Sequence, residues 1–474
     1  MPEYKTPGVY IEEISKLPPS ITSVETAIPA FIGYTEKAQL KEPGDLTKKP
    51  MRITSMLEYA LFFGGPQPET TISVTIDKTQ PNKVDVQGKV TDPSKYLMYY
   101  SLQMFFINGG GPCYVVSVGD YSGAGVIDLA TLKGGLDEVE KINEVTLILF
   151  PDGLSMTDPG DYYAIHKEAM DQSALLKDRF VVMDVWMSPD NDPAFDPIQT
   201  LRDADFGTVD TTKYAAAYYP RIYTRLDYNY KMAGSDVDND ASVTIIGKGD
   251  ATLNGTLAEL KGKNGQYYAM AKNAINAIGV LLPASSAVVG KYAEVDNTRG
   301  VWKAPANIGI DYAIGPEILI SNRVQEGLNV DVNFGKSINV IRSFQGRGPA
   351  IIWGARTLAG NDNEWRYIPV RRYFNMVEEY TKNATEQFVF EPNDKNTWVR
   401  VKAMIENYLT LQWKAGALQG ATTDQAFFVR IGLNLTMTYF DILEGRMIVE
   451  IGLAVVRPAE FIILRFMHKM VDQA

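Results

Sequence analysis

One cysteine, Cys113, and two histidines, His166 and His468, are all that 474 residues contain of either type. A lone cysteine excludes an internal disulfide framework and fits folding in a reducing compartment. Two histidines leave little material for imidazole acid–base chemistry or a multi-histidine metal site. Positive charge is also short. A net charge of -11 argues against a general nucleic-acid surface, which needs clustered Lys and Arg to displace counterions. No apolar run approaches the roughly 18 residues that cross a bilayer. Residues 1–14 lack the basic-then-apolar order of a secretory signal, so a soluble, cytosolically made protein is expected. Neither a Gly-x-x-x-x-Gly-Lys-Ser/Thr phosphate loop nor a Gly-x-Ser-x-Gly nucleophile elbow occurs. At 45% hydrophobic and 22% charged residues, what is present suits a globular chain long enough for several domains.

Four stretches offer chemistry at first sight, and each has a plainer reading. Gly109-Gly110-Gly111 leads from a helix into a strand, whereas phosphate-binding turns lead from a strand into a helix, so a tight structural turn is expected. Asp236, Asp238 and Asp240 have the alternate spacing of a calcium loop, but Ala241 and Gly247 stand where the turn glycine and bidentate glutamate belong. A solvated acidic loop is the better fit. His166 has no motif partner and reads as a surface or core-edge histidine on a helix. Trp365-Arg366-Tyr367 with Arg371-Arg372 could imitate a nucleic-acid patch, but in an acidic chain an interface or internal salt-bridge role is expected. The sequence therefore assigns no catalytic, cofactor-binding or metal-binding residue.

Both ends of the chain carry apolar strand-like pieces with no local partner. Val9, Tyr10 and Ile11 follow Pro7-Gly8 and precede the stiff Pro18-Pro19, the composition of an extended arm with one short strand over 8–14. Near the other end Met447, Val449, Ile451, Leu453 and Val455 alternate as in a half-buried strand. Phe461, Ile462, Ile463 and Leu464 are apolar without alternation, which predicts a strand covered on both faces. Left uncovered it would be an open, adhesive edge, so it is expected either as an ordinary core strand or docked into a neighbour's sheet.

Between the ends the pattern changes once. A strand over 28–34 and helices over 55–63 and 94–107 enclose a candidate exposed hairpin, 72–76 and 83–90. Residues 135–220 alternate helices (136–142, 162–176, near 197–204) with strands (145–150, 180–185, 214–219). That order predicts right-handed crossovers and a largely parallel sheet with helices on both faces. Residues 228–265 are polar and turn-rich, a surface excursion, followed by helices over 267–278 and 285–295. From 329 the order becomes α+β, with strands over 330–334, 338–344 and 351–353 and a helix over 368–380. A last long helix is capped by Asn393 or Asp394 and stops at Gly416, with Trp398, Val401, Ile405 and Tyr408 as its core stripe. Its other face carries Lys395, Arg400, Glu406 and Lys414. The expected fold is thus mixed α/β and α+β with an extended strand arm at each end.

Several stretches together resemble the contractile-tail sheath proteins of myophages, R-type tailocins and extracellular contractile injection systems. They are Thr6-Pro7-Gly8-Val9-Tyr10-Ile11-Glu12-Glu13, Phe105 to Gly110 with Cys113 to Val116, Arg299 to Asn307, Ile352 to Leu358, Glu364 to Arg372, Phe390 to Asp394, Gly416 to Leu418, Phe427 to Arg430 and Gly445 to Ile462. The likeness is weakest over 66–92 and 228–265, where such proteins vary.

The resemblance implies four parts: an interlocking arm over 1–27, an α/β outer domain over 28–328 with two insertions, a tube-facing α+β domain over 329–457, and a second arm over 458–474. It further implies that Val9, Tyr10 and Ile11, and Phe461 to Leu464, reach into neighbouring copies and complete a shared sheet. Hexameric rings would stack into a helical sheath around an inner tube protein, with baseplate and terminal cap proteins as further partners and neither nucleic acid nor membrane insertion involved. Assembly would take place in the bacterial cytoplasm, for use in a phage tail or a released tail-like particle, and contraction would spend energy stored at assembly. Lys395, Arg400 and Lys414 would latch the tube. Two other readings stay open: a minor sheath paralogue near the baseplate, and an α/β hydrolase or nucleotide-binding protein.

Overall fold

Neighbouring residues of the strand Pro29–Tyr34 point into different cores, and the main sheet is organised by that alternation. In the computed structural model, which describes residues 25–123, 125–188, 194–232 and 235–463, Phe31 packs in one apolar cluster while Ala30 and Ile32 pack in another. The strands Leu147–Leu149 and Cys113–Gly119 divide their side chains the same way. A sheet buried on both faces reads as unbroken apolar runs. These strands do.

The sheet has nine strands, in the order Ile308–Gly309, Gly348–Trp353, Ile338–Phe344, Ala215–Tyr219, Phe180–Asp184, Leu147–Leu149, Pro29–Tyr34, Cys113–Gly119, Met51–Ile53. The six from Ile338–Phe344 to Cys113–Gly119 run parallel, and antiparallel strands close both edges. Helices Met98–Ile107 and Ser285–Arg299 supply Leu102, Phe105, Val288 and Tyr292 to one core, while Leu129–Glu140 and Pro159–Leu176 supply Leu136, Val139, Ile165 and Met170 to the other. The helix Ser285–Arg299 has no cap of its own; Asp184, at the end of a central strand, accepts from Ala284 N at 2.8 Å and Ser285 N at 3.1 Å. Burial raises the Asp184 carboxyl to about 6, against the pull of those amides.

Two differences from the sequence reading concern residues after 328. The strands expected over 338–344 and 351–353 in a separate C-terminal domain from 329 are found as Ile338–Phe344 and Gly348–Trp353, both members of this sheet; the β-α alternation continues across that point. Val330 to Phe334, expected as a strand, is a turn after the helix Asn322–Asn329. Asp331 explains it, because its carboxylate accepts from the backbone N–H of Asn333 and of Phe334, both at 3.2 Å, which competes with strand pairing.

The two insertions are one structure. Thr244–Lys248 pairs in parallel with Ile72–Asp77, which pairs antiparallel with Asp85–Val90, and Gly255–Thr256 completes a four-stranded sheet. Helices Leu257–Lys263 and Gly265–Asn276 cover it through Leu257, Leu260, Ala271 and Ile275. The expected lone hairpin would have been marginal by itself. Asp238 and Asp240 of the acidic loop are engaged by Lys272 at 2.7 and 3.1 Å. At the neck Glu69, 3% exposed, accepts from Ser94 N at 3.1 Å, and burial pushes its carboxyl up to about 7.

The chain divides into two compact units, the larger comprising 25–378 with 456–463 and the smaller 379–455. Within the smaller, helix Lys395–Lys414 is capped by Asp394, whose carboxylate accepts from Thr397 N at 3.0 Å, and it buries Val401, Ile405 and Tyr408 as its spacing predicts. Tyr408 stacks on Tyr380 with ring centroids 3.5 Å apart. Strands Phe427–Arg430 and Glu450–Leu453 pair antiparallel as a two-stranded sheet.

Candidate functional site

The strand Gly348–Trp353 ends at Gly354, where any Cβ would meet Asn339 Oδ1 at 2.7 Å, so the backbone passes close to the neighbouring strand. Asn339 then holds the next turn from both sides. Its Oδ1 accepts from Arg356 N at 2.8 Å, and its Nδ2 donates to Arg356 O at 2.8 Å and to Ala217 O at 3.2 Å. Arg356 is thereby set 3% exposed with its guanidinium on Glu460. The pair is a two-pronged fork, Nε to Oε1 at 3.0 Å and Nη2 to Oε2 at 2.6 Å. Asn329 Nδ2 donates to Oε1 at 2.7 Å and the Tyr367 hydroxyl to Oε2 at 3.1 Å. Burial by itself pushes the Glu460 carboxyl up, but the bonds from Arg356 and Asn329 prevail and hold it below the usual glutamate range. Three residues earlier Arg457 donates to Asn363 O at 2.8 Å. Phe461, Ile462 and Ile463 follow, 69%, 81% and 78% exposed.

A second buried arginine, Arg372, holds the backbone at Thr26. Arg372, on the helix Ile368–Thr385, reaches Asp296 Oδ2 at 2.5 Å and Oδ1 at 3.1 Å, and donates to Thr26 O at 2.8 Å. The Thr26 hydroxyl donates to Asp296 Oδ2 at 2.6 Å, and the guanidinium lies 4.6 Å from the centre of the Tyr292 ring. Next to it Arg371 pairs with Glu378 at 2.8 Å and sits 4.4 Å from the Trp365 ring centre. The arginine and aromatic run is therefore an internal salt-bridge cluster, one of the two roles expected for it.

The residues singled out from sequence fall as follows. Val9, Tyr10, Ile11 and Leu464 lie outside the described residues. Phe461, Ile462 and Ile463 belong to no strand, so the expectation of a core strand covered on both faces does not hold for them; the Arg356–Glu460 contact fixes the chain just before them and leaves them outside. Lys395, Arg400 and Lys414 are all exposed. At 100° and 1.5 Å per residue they spread over about 140° of the helix, the first and last about 28 Å apart. Arg400 already meets Glu391 at 3.4 Å and the Phe388 ring at 5.1 Å. His166 is in the core rather than at its edge, 1% exposed. Gly109 has φ of 95° and follows the helix cap Asn108, which is the structural turn expected.

Residues 360–468 match the model of the phage tail sheath C-terminal domain. The tail sheath protein of Vibrio phage KVP40 is 27% identical over 132 residues, a match covering 27% of this chain and 19% of the phage protein. A chain in the cryo-EM structure of the anti-feeding prophage baseplate is 31% identical, with 98% of this chain and 100% of that one covered and a TM-score of 0.62. The chain belongs to the contractile tail sheath family. Two further sheath structures match this sheath protein over nearly their whole length at 29% identity. They are the PVC extracellular contractile injection system in its contracted state, covering 99% of both chains with a TM-score of 0.62, and the contracted anti-feeding prophage sheath, covering 98% and 100% with a TM-score of 0.64. The family is one of structural sheath proteins, with a mixed α/β fold as found here. No described helix is long and apolar enough to cross a membrane.

Asn329, Arg356, Tyr367 and Glu460, and likewise Thr26, Asp296 and Arg372, are missed as groups by sequence reading. Arg356, Tyr367, Arg372 and Glu460 fall in stretches that resemble the family, but partners 104 residues apart leave no local spacing to read.

Proposed function

We propose that this sheath protein assembles with copies of itself into hexameric rings stacked as a helical sleeve around an inner tube protein, with baseplate and terminal cap proteins at the ends. Contraction drives the tube through a target envelope on energy stored at assembly. The observation that carries this reading is the exposed apolar run Phe461-Ile462-Ile463 leaving the body directly after an ion pair between buried Arg356 and half-buried Glu460. An apolar run held out in this way suits addition to another copy's sheet. Among the described residues the two-stranded sheet Phe427–Arg430 and Glu450–Leu453 has two open edges, and in this reading it is the acceptor on the neighbouring copy. Each added strand contributes a handful of backbone hydrogen bonds at about 0.5 to 1.5 kcal/mol apiece, plus buried apolar surface. The ends thus act as the arms, Val9, Tyr10 and Ile11 at one terminus and Phe461 to Leu464 at the other. The chain is divided as an arm over 1–27, an outer domain, a tube-facing domain and an arm over 458–474. Assembly takes place in the bacterial cytoplasm, for use in a phage tail or released particle.

Negative-stain microscopy of the protein alone and with its tube protein tests this. Striated sleeves are expected, and deleting 1–15 or 461–474 abolishes them without unfolding the chain. Sleeves that survive both deletions refute the lacing. The helix Lys395–Lys414 is the tube contact in this reading, with Lys395, Arg400 and Lys414 as latches of about 0 to 1 kcal/mol each, weak enough to release. Reversing all three charges lowers co-assembly with the tube; unchanged co-assembly rejects the latch. The 31% identity to a chain of a baseplate structure favours one second reading, a baseplate-proximal paralogue, and short rings in place of long sleeves would select it.

A further inference from the structure

We infer that Arg356 and Arg372 are positioning residues that fix the points at which the two arms leave the body and tie those points to the main sheet. The inference rests on the reading of both ends as lacing arms. It comes from what the two arginines hold. Glu460 is the last residue before the exposed run, and Thr26 stands at the inner end of the stretch 1–27 read as the other arm.

Both ion pairs are more enclosed than the exposed pairs of the surface. Lys133–Glu168 and Lys141–Glu138 have side chains 36% to 65% exposed, whereas the side chains of Arg356 and Glu460 are 4% and 20% exposed and those of Arg372 and Asp296 are 3% and 4%. A buried pair is a poor way to gain stability, because two charges must leave water. What it gives is geometry. Each carboxylate has further donors, Asn329 and Tyr367 on Glu460 and Thr26 on Asp296, so the arm root is held in one position.

Behind each arginine the bonds continue into the sheet. Arg356 is gripped by Asn339 of the strand Ile338–Phe344, which also reaches Ala217 of the adjacent strand. On the helix that carries Arg372, Asn375 donates to Arg179 O at 3.0 Å, next to the strand Phe180–Asp184. A pull on either arm is therefore met by charge-assisted bonds rooted in central strands, and not by a fraying end.

The test compares the full chain with Glu460→Gln, Asp296→Asn and Tyr367→Phe, beside the deletion of 461–474. Readouts are the protein concentration at which sedimentable sleeves form and hydrogen exchange across the monomer. Glu460→Gln and Asp296→Asn each raise that concentration about tenfold. Tyr367→Phe, which keeps the ion pair and the fold, raises it less, in the same direction. In Glu460→Gln, exchange accelerates over 456–463 while Ile338–Phe344 stays protected, a local change that general destabilisation does not produce. If the deletion abolishes sleeves while the three substitutions leave the concentration and exchange unchanged, the anchoring is overturned and the arms stand. If the deletion leaves sleeves intact, the arm reading falls and the anchoring falls with it.

Discussion

Arg372→Leu destabilises the monomer by about 3 to 5 kcal/mol, and adding Asp296→Leu restores most of the loss. Removing one partner strands a charge where water cannot reach it, which is the costly event. Asp296 is 4% exposed, and its other bond comes from the Thr26 hydroxyl, which supplies no compensating cation. With both residues apolar the desolvation cost disappears along with the attraction, and pairs replaced in this way are commonly neutral or better. Urea melts of wild type, the two single variants and the double variant complete the cycle. A double variant as unstable as the sum of the single losses shows that the two side chains act independently and that the pair is not a unit. The recovered monomer is also informative for assembly, because it has a stable body without a fixed N-terminal root.

Much of the main sheet is legible in the sequence because parallel strands buried on both faces leave a strong signature. Val145 to Phe150, Phe180 to Val185 and Tyr214 to Tyr219 are near-continuous apolar runs between helices of matching length, and the observed strands fall inside them. The long helix of the smaller unit is equally plain, since Asp394 supplies a cap and Val401, Ile405 and Tyr408 a stripe. Partnership over distance is what the pattern cannot carry. Nothing in residues 72–77 marks them as the neighbours of 244–248, because each piece alone has the alternation of any half-buried strand.

The end of the chain shows the same limit from the other side. Phe461, Ile462 and Ile463 have the composition of a buried strand, and composition reports only that something must cover them. Whether the cover comes from the same chain or another is decided by the geometry at Glu460. There the ion pair to Arg356 holds the backbone and the apolar residues follow it into solvent. The sequence match to the family bears on those residues, while the physical reason for their exposure lies in Asn329, Asn339, Arg356 and Tyr367, scattered over the preceding 131 residues.

His166 makes the protein sensitive to acid in a way that one substitution isolates. It lies 1% exposed on the helix Pro159–Leu176, with Nδ1–H donating to Tyr162 O at 2.8 Å and the rings of Tyr162 and Phe150 at 4.4 and 5.2 Å. Burial pushes its pKa down to about 4, with the Tyr162 carbonyl pulling the other way. The neutral ring is the native form. Its contribution is complete above the unfolded value near 6.5 and is lost as pH falls toward about 4, up to about 3 kcal/mol. Asp184, raised to about 6, and Glu69, raised to about 7, act in the opposite sense: burial favours their protonated forms, so their contribution is lost as pH rises through those values. The wild-type curve sums these effects, and comparison with His166→Gln separates them, because the amide can still donate to Tyr162 O but cannot titrate. Between about pH 7.5 and about pH 5 wild type should lose about 2 kcal/mol more stability than His166→Gln. Equal losses in urea melts at the two pH values would mean that His166 is already charged in the native core or reaches water there, against its burial.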